Sequence, residues 1–537
     1  APTVSIEGGI KKLIFRWDAV TSAAYYRLLE NADGHSGFTQ VGDDIPAGTL
    51  AATRDIAVHL FDWVQAQYLV EACNIGGCNS SRVITATDVM LDTIGYFKAS
   101  NTDPGDSFGG SAYPYGPYGG VALSGDGLTL AVGAPLEQSA ASGVSGDETD
   151  NSVEYSGAVY VFRKSPLGWR QQAYIKGSGT AYEWFGNAVA LSDNGDTLAI
   201  GSGESGFRIY HYVTDQWNEQ SVNIANTRCQ IGEGILGVSV ALSLDGSTLV
   251  AGNPFDANYR LGVGGFTEPI PPPLYEESPM SGAVCVYRLV GDTWQDNVYI
   301  KPSDTREGAL FGSAIALNDD GTLLAVGAPE SGSGVYLFRF DGDTWFEEVK
   351  LIGSDTQPND LFGAAVALSA DADVLAVGSP HHPGKNHDDE EREGAVFVFR
   401  YEDDQWNEQS MIKPAHLSPS ESFGTSVALA TSGNRLAVGS PGDDSSSVGV
   451  DGDMLDNLAI GAGAVYIYRL ESNSWLIEHY VKACNAEAAD AFGRSVSLTP
   501  DGMTLAIGAV EEDSSATGVG GDREDNTAEE SGAAYIY

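Results

Sequence analysis

The chain has 537 residues, with 28 Lys plus Arg against 74 Asp plus Glu and a formal net charge of −46. That balance disfavours nucleic acid and anionic membranes as partners and favours cations, basic surfaces or salty surroundings. No apolar run approaches the roughly 20 residues of a membrane helix, and five cysteines in this length exclude a disulfide scaffold. The start at Ala1, without Met or signal peptide, is the expected form of a mature, processed product.

Residues 1–90 carry a β-rich pattern with Trp17, a Tyr25-Tyr26 pair, and Tyr68-Leu69-Val70-Glu71-Ala72-Cys73-Asn74 before Gly77. The stretch resembles a fibronectin type III module. The resemblance implies a small β-sandwich with the early Trp in its core and a late Tyr before a strand running into a turn. Cys73 and Cys78, five apart across that turn, are candidates for a small disulfide. Cys229, Cys285 and Cys484 are read as buried small hydrophobes.

From residue 91 onward one unit recurs. It opens on Phe-Gly, at Phe108, Phe185, Phe311, Phe362, Phe423 and Phe492, with a Leu-Gly variant at Leu236. In the fourth copy four strands are expected over 313–317, 323–326, 334–339 and 347–351. The first two are rich in apolar and small residues, as for strands covered on both faces. The third alternates aromatic and aliphatic residues, Val335-Tyr336-Leu337-Phe338. A Trp stands between the third and fourth runs in six copies: Trp169, Trp217, Trp294, Trp345, Trp406 and Trp475.

The seventh copy stops at Tyr537 inside its third run, and an orphan fourth run lies ahead of the first copy at Ile94-Gly95-Tyr96-Phe97-Lys98. Residues 94–98 are therefore expected to complete the last unit and join the two ends, leaving no open edge. All-strand repeats of this length are those of a β-propeller. The expected fold is all-β: a sandwich over 1–90 and a seven-bladed propeller over 91–537.

The punctuation Phe108-Gly109 to Gly133-Ala134-Pro135, and Phe311-Gly312 to Gly327-Ala328-Pro329, resembles the FG-GAP repeat family, best known from integrin α chains. Calcium-binding integrin blades carry an Asp-rich loop between the first two strands. Here those turns are Ser124-Gly125-Asp126-Gly127, Ser243-Leu244-Asp245-Gly246 and Asn318-Asp319-Asp320-Gly321. They are too short and too poor in carboxylates for six to eight oxygens, and they read as hairpin turns.

The chemistry concentrates in the loops between second and third strands. Three share one spacing: Gly143-Val144 leading to Asp147, Asp150 and Asn151; Gly449-Val450 leading to Asp453, Asp456 and Asn457; and Gly518-Val519 leading to Asp522, Asp525 and Asn526. Copy three keeps Gly262-Val263 but has Phe266 where the first Asp would be. These carboxylates and amides either hold a hard cation such as Ca2+ or cap turns by bonding their own backbone. The long loop of copy five, with His381, His382 and His387 among acids, is a weaker candidate for a transition metal. The Pro-rich stretch 269–275 reads as a stiff extended arm.

No His-Glu-x-x-His or phosphate loop is present. Gly105-Asp106-Ser107-Phe108-Gly109 matches Gly-x-Ser-x-Gly in letters but overlaps the repeat's own opening. The expected function is non-enzymatic: a secreted or surface-attached bacterial protein that binds a protein or glycan through its acidic long-loop face, with calcium as a possible aid. The alternatives are a self-assembling surface or filament subunit and a polysaccharide-active enzyme. In a four-stranded meander the long loops and the unit-to-unit connections share one face, which places the N-terminal module on the other.

Overall fold

The computed structural model describes residues 1–110, 120–203, 206–223, 236–257, 262–264, 280–383, 392–414 and 420–537. Among them regular structure is all strand apart from three single-turn 3-10 helices. Two sheets come from the N-terminal residues. Strands β1 (Val4–Gly9), β2 (Lys12–Trp17) and β5 (Ala51–Asp55) form one, in the order β1-β2-β5. Strands β3 (Tyr25–Asn31), β4 (Thr39–Pro46), β6 (Gln67–Asn74) and β7 (Gly77–Ser80) form the other, in the order β4-β3-β6-β7, with the short β8 (Ile84–Thr85) also paired to β6.

The period of two decides what faces what. In β2, Leu13, Phe15 and Trp17 are buried and the residues between them are not. Their partners come from the second sheet: Phe15 meets Tyr68 with ring centroids 4.8 Å apart, and Trp17 meets Tyr26 at 5.5 Å. Cys73 and Cys78 lie opposite each other in the β6–β7 hairpin and are disulfide-bonded. Cys484 is free and buried. Cys285 overturns the expectation of a simple hydrophobe: it is disulfide-bonded. A pairing set by tertiary structure leaves no spacing signal in the chain.

Among the described residues seven sheets follow, each a meander of four principal antiparallel strands. In the fourth these are Ala314–Leu317, Leu323–Ala328, Gly334–Phe340 and Trp345–Leu351, within a few residues of expectation. Every residue of Leu323–Ala328 is buried, because neighbouring sheets cover both of its faces. The six Trp residues open or nearly open the fourth strands. Trp345 packs on Phe340 at 5.5 Å, and Trp406 packs on Tyr401 at 5.5 Å.

The Phe-Gly and Val-Gly punctuation has a common physical cause. Within a sheet, the Gly312 amide donates to the Gly327 carbonyl at 3.0 Å. Between sheets, a Cβ built on Gly327 would lie 2.0 Å from the Gly363 carbonyl oxygen of the next sheet. The same approach recurs from Gly133 to Gly186, Gly201 to Gly237, Gly252 to Gly312, Gly378 to Gly424, Gly439 to Gly493, and Gly508 back to Gly109. No side chain fits there, so glycine is retained at each seam.

The last of those contacts closes a ring. The first strands of successive sheets touch all the way round, last to first included. Strand β9 (Gly95–Phe97) pairs with Ala533–Ile536 and supplies the fourth strand of the last sheet, in the register Tyr96 opposite Tyr535. A narrow axial cavity is lined by Ala188, Val240, Ala314, Val366, Val427 and Val496, one from each of six first strands.

The N-terminal sheets rest on the turn side of the last sheet. Lys11 Nζ donates to Thr504 Oγ1 at 2.9 Å, to the Tyr537 carbonyl at 3.1 Å, and to the Met503 carbonyl. His59 Nε2 contacts the Gly502 carbonyl at 3.1 Å. Burial there pushes the Lys11 ammonium down to about 7 and the His59 imidazole down to about 3. The N-terminal core continues without a break, through Ile94 and Tyr96, into the sixth and seventh sheets.

Candidate functional site

The long loops do not simply crowd one face. In four of them a Gly-Val doubles back along the outer edge of its own sheet. Gly143–Val144 pairs antiparallel with Ile175 and Lys176, and Gly449–Val450 pairs with Val481 and Lys482. Val519 bridges Phe97, and Val263 bridges Ile300. The shared Gly-Val is therefore a fifth strand that covers an edge otherwise open to pairing with another chain.

Under each of these edges lies a buried ion pair. Lys301 Nζ sits 2.8 Å from Asp256 Oδ1, Lys482 Nζ 3.1 Å from Asp443 Oδ1, and Lys98 Nζ 2.7 Å from Glu512 Oε2; Lys176 pairs likewise with Glu137. All four ammonium groups are fully buried. Burial lowers each lysine's pKa, and the facing carboxylate works against that shift.

Each carboxylate also accepts from the Tyr two residues before its lysine. The bonds run from Tyr174 at 2.7 Å, Tyr299 at 2.9 Å, Tyr480 at 2.7 Å and Tyr96 at 2.7 Å. In three sheets the lysine donates as well to a serine just before the third strand: Ser156, Ser281 or Ser531. The loop's start and end are thereby tied to one buried charge pair.

The loop tips are held by their own side chains. Asp147 Oδ1 accepts from the Thr149 amide at 3.0 Å, Asp453 Oδ1 from the Leu455 amide at 2.9 Å, and Asp522 Oδ1 from the Glu524 amide at 3.1 Å. Asp150 Oδ2 accepts from the Ala140 amide at 3.0 Å, and Asp456 Oδ2 from the Ser446 amide at 2.9 Å. Asp525 takes the Ser515 hydroxyl. Asn151 donates to Asp103 Oδ2 at 2.9 Å, Asn526 donates to Glu487, and Asn457 is engaged as well. Hydrogen bonds hold Asp147, Asp150, Asp456 and Asp525 below the usual carboxylate range. Each triplet is thus gathered within one loop, and in all three loops the first Asp accepts from the amide two residues on. A shallow groove runs between Ser145–Glu148 and the strand residues Gln171–Tyr174.

The short turns between first and second strands are Asx-type hairpins. Asp126 Oδ1 accepts from the Leu128 amide at 2.9 Å, and Gly127 has φ 66°. Asp106 and Asp490, two residues before their Phe-Gly, are buried and accept from the Asp103 and Glu487 amides at 3.1 and 2.8 Å. Burial pushes both carboxyls up to about 8.

The fifth sheet varies the theme. His382 stands where the other sheets have the carboxylate, and Glu393 where they have the serine. Lys413 Nζ lies 2.8 Å from His382 Nδ1 and 4.0 Å from Glu393 Oε2. His382 is therefore part of the buried pairing system. Desolvation lowers the neighbouring His381 to about 4. His387, Phe266 and the Pro-rich stretch 269–275 lie outside the described residues. Among the described residues, the one grouping of three His, Cys, Asp or Glu ligand atoms is Glu71 with Cys73 and Cys78, whose sulfurs are bonded to each other.

The FG-GAP repeat family matches residues 345–399, from the fourth strand of one sheet to the third strand of the next. No curated protein matches the chain. Among solved structures, the chain is similar to one from "Crystal Structure of Mitotic Checkpoint Complex", at 13% identity and a TM-score of 0.43, over 77% of this chain and 89% of that one. It is also similar to the β-propeller domain of Cps50 (Swd1) from Myceliophteria thermophila, at 9% identity and a TM-score of 0.45, over 83% and 99%. The chain is an all-β protein of antiparallel sheets that carries an FG-GAP repeat.

Proposed function

We propose that this chain is a non-enzymatic, extracellular or surface-attached binding protein. In this reading the sheets are the blades of a seven-bladed FG-GAP propeller over 91–537, preceded by a fibronectin type III-like sandwich over 1–90. The seven glycine seams and the pairing of β9 with Ala533–Ile536 support the blade count. The order β1-β2-β5 facing β4-β3-β6-β7 supports the sandwich.

One observation carries the functional part: the long loops are anchored at both ends by buried Lys–carboxylate pairs while their tips stay exposed. Leu455, Leu458 and Ile460, for example, are 67%, 85% and 74% exposed at the tip of one such loop. Rigid anchoring of variable tips is how loop surfaces bind without a large ordering cost. The reading does not require calcium, because the Asp side chains already have donors within their own loops.

Surface plasmon resonance against immobilised extracellular proteins and polysaccharides tests it with two variants. Leu455→Asp/Leu458→Asp alters the loop face. Leu128→Asp/Leu167→Asp alters two exposed residues on the opposite turns. The reading predicts that binding weakens in the first variant and is kept in the second. The reverse pattern would overturn it.

A further inference from the structure

At the junction of the first and second sheets, three aromatic residues occupy left-handed backbone positions: Tyr155 at φ 53°, Tyr182 at φ 61° and Trp184 at φ 48°. The junction is built as a short ladder. The Tyr182 amide donates to the Glu154 carbonyl and the Trp184 amide to the Tyr155 carbonyl, both at 2.9 Å. Similar rungs stand at three other junctions; at the third-to-fourth the Leu310 amide donates to the Met280 carbonyl at 3.0 Å, with Leu310 at φ 54° and Met280 at φ 55°. At the seventh-to-first junction the Gly105 amide donates to the Glu529 carbonyl and the Ser107 amide to the Glu530 carbonyl. At the sixth-to-seventh junction Ala489 and Ala491 donate to Ile460 and Gly461.

The backbone is left-handed at these rungs too, with Gly105 at 80°, Ser107 at 54°, Ala489 at 72° and Ala491 at 55°. Those junctions place Gly, Ser, Ala or Leu in the donor positions, so the left-handed conformation belongs to the repeat, and the aromatic side chains are what sets this junction apart. The first-to-second junction places Tyr and Trp there instead. The rings are not buried in the core: Tyr155 is 37% and Tyr182 44% exposed, and Trp184 is half-buried.

The rings are arranged rather than scattered. Tyr182 stands edge-on to both neighbours, with centroids 5.5 Å from Tyr155 and 5.9 Å from Trp184 and interplanar angles of 67° and 66°. Its hydroxyl donates to Glu154 Oε2 at 2.8 Å, which fixes the ring. Ser178 and Thr180 hydroxyls lie 2.9 Å from each other on the same connecting segment. Exposed aromatic rings held in a fixed arrangement present a surface for a ligand with an apolar face.

We propose that Tyr155, Tyr182 and Trp184 form a binding site for a neutral saccharide, a reading that rests on the loop face being the binding face. Aromatic faces take the C–H side of a pyranose ring, and Glu154 with the nearby hydroxyls supplies partners for sugar hydroxyls. A net charge of −46 and the carboxylate beside Tyr182 select against anionic sugars.

Isothermal titration calorimetry of the whole chain with maltohexaose, cellohexaose and chitohexaose tests the site, on wild type, Tyr182→Gly, Tyr155→Gly and Leu455→Asp/Leu458→Asp. Glycine relaxes the left-handed backbone, so the melting temperature of the glycine variants stays level or rises. The expected result is that one hexasaccharide binds wild type and that Tyr182→Gly weakens it at least tenfold with no loss of melting temperature. The proposal is overturned if no hexasaccharide binds, although a protein-binding loop face would survive that result. It is also overturned if the glycine variants bind like wild type, or lose melting temperature together with binding. Loss of binding in the leucine variant alone would keep the face and reject the aromatic site.

Discussion

Replacing Lys176 with Met removes the cation from a site where Glu137 is 1% exposed. Glu137 would keep the Tyr174 hydroxyl at 2.7 Å and the Ser139 amide at 3.2 Å, but no counter-charge. Breaking a buried pair from one side costs about 3–5 kcal/mol, because the remaining charge is buried without compensation. Replacing both partners removes the desolvation penalty along with the attraction, so Lys176→Met/Glu137→Leu is expected within about 1 kcal/mol of wild type. Urea unfolding followed by tryptophan fluorescence, run as a double-mutant cycle, measures the coupling.

A second readout separates anchoring from global stability. Ser156 donates to the Glu137 and Ser139 carbonyls at 3.1 and 2.8 Å, so freeing this corner exposes the loop over 140–155. Limited proteolysis of that loop is expected to accelerate in the single variant. A single-variant cost below about 1 kcal/mol, the range of surface ion pairs, would refute the reasoning. So would a double variant as unstable as the sum of the singles.

Gly327→Ala places a Cβ 2.0 Å from the Gly363 carbonyl and is expected to cost roughly 3 kcal/mol in a urea melt. Gly48→Ala meets nothing within 4 Å and is expected to be neutral within about 0.5 kcal/mol. The buried carboxyls of Asp106 and Asp490, raised to about 8, give a pH signature. Between about pH 4 and that value the folded state holds a proton that the unfolded state has released. Stability therefore falls as pH rises, by about 1.4 kcal/mol per pH unit for each group. Asp106→Asn/Asp490→Asn removes that slope, and parallel wild-type and variant profiles from pH 5 to pH 8 would contradict the shift. Asp147→Ala/Asp453→Ala/Asp522→Ala loses three turn bonds worth about 0.5–1.5 kcal/mol each, with calcium and EDTA melts expected to superimpose. A calcium-dependent rise in wild-type melting temperature that the variant loses would make the loops cation sites instead.

The repeat was legible because its marks are local. Phe311-Gly312 and Gly327-Ala328-Pro329 sit on adjacent strands, and the strands themselves follow from apolar runs and Gly-bearing turns. Tyr96-Phe97-Lys98 was legible as a displaced fourth strand because it matches Tyr174-Ile175-Lys176 letter by letter or nearly so. The reason for the lysine was not legible. Its partner lies 39 residues away in the first sheet, 45 in the third and 414 in the last. No periodicity reports a contact set by how a long loop folds back.

A signal did exist. Tyr-x-Lys occurs in the four copies whose long loop begins with Gly-Val, and an acid falls four residues after the seam glycine in each: Glu137, Asp256, Asp443 and Glu512. The aromatic junction at Tyr155, Tyr182 and Trp184 was hidden for a different reason. Nothing in the letters shows that these three residues meet; only the fold brings Tyr182 to 5.5 Å from Tyr155 and 5.9 Å from Trp184.

The proposed binding face rests on a closed ring, and closure depends on β9 pairing with Ala533–Ile536. Hydrogen exchange resolved to the amides of Phe97, Ala534 and Ile536, which face across that seam, measures the pairing directly. The account predicts protection equal to that of Ala325 and Val326 in the middle of the fourth sheet, since both sets are buried strand amides. Exchange at the rate of the exposed loop amides near Leu455 and Leu458 would show an open seam and contradict the account.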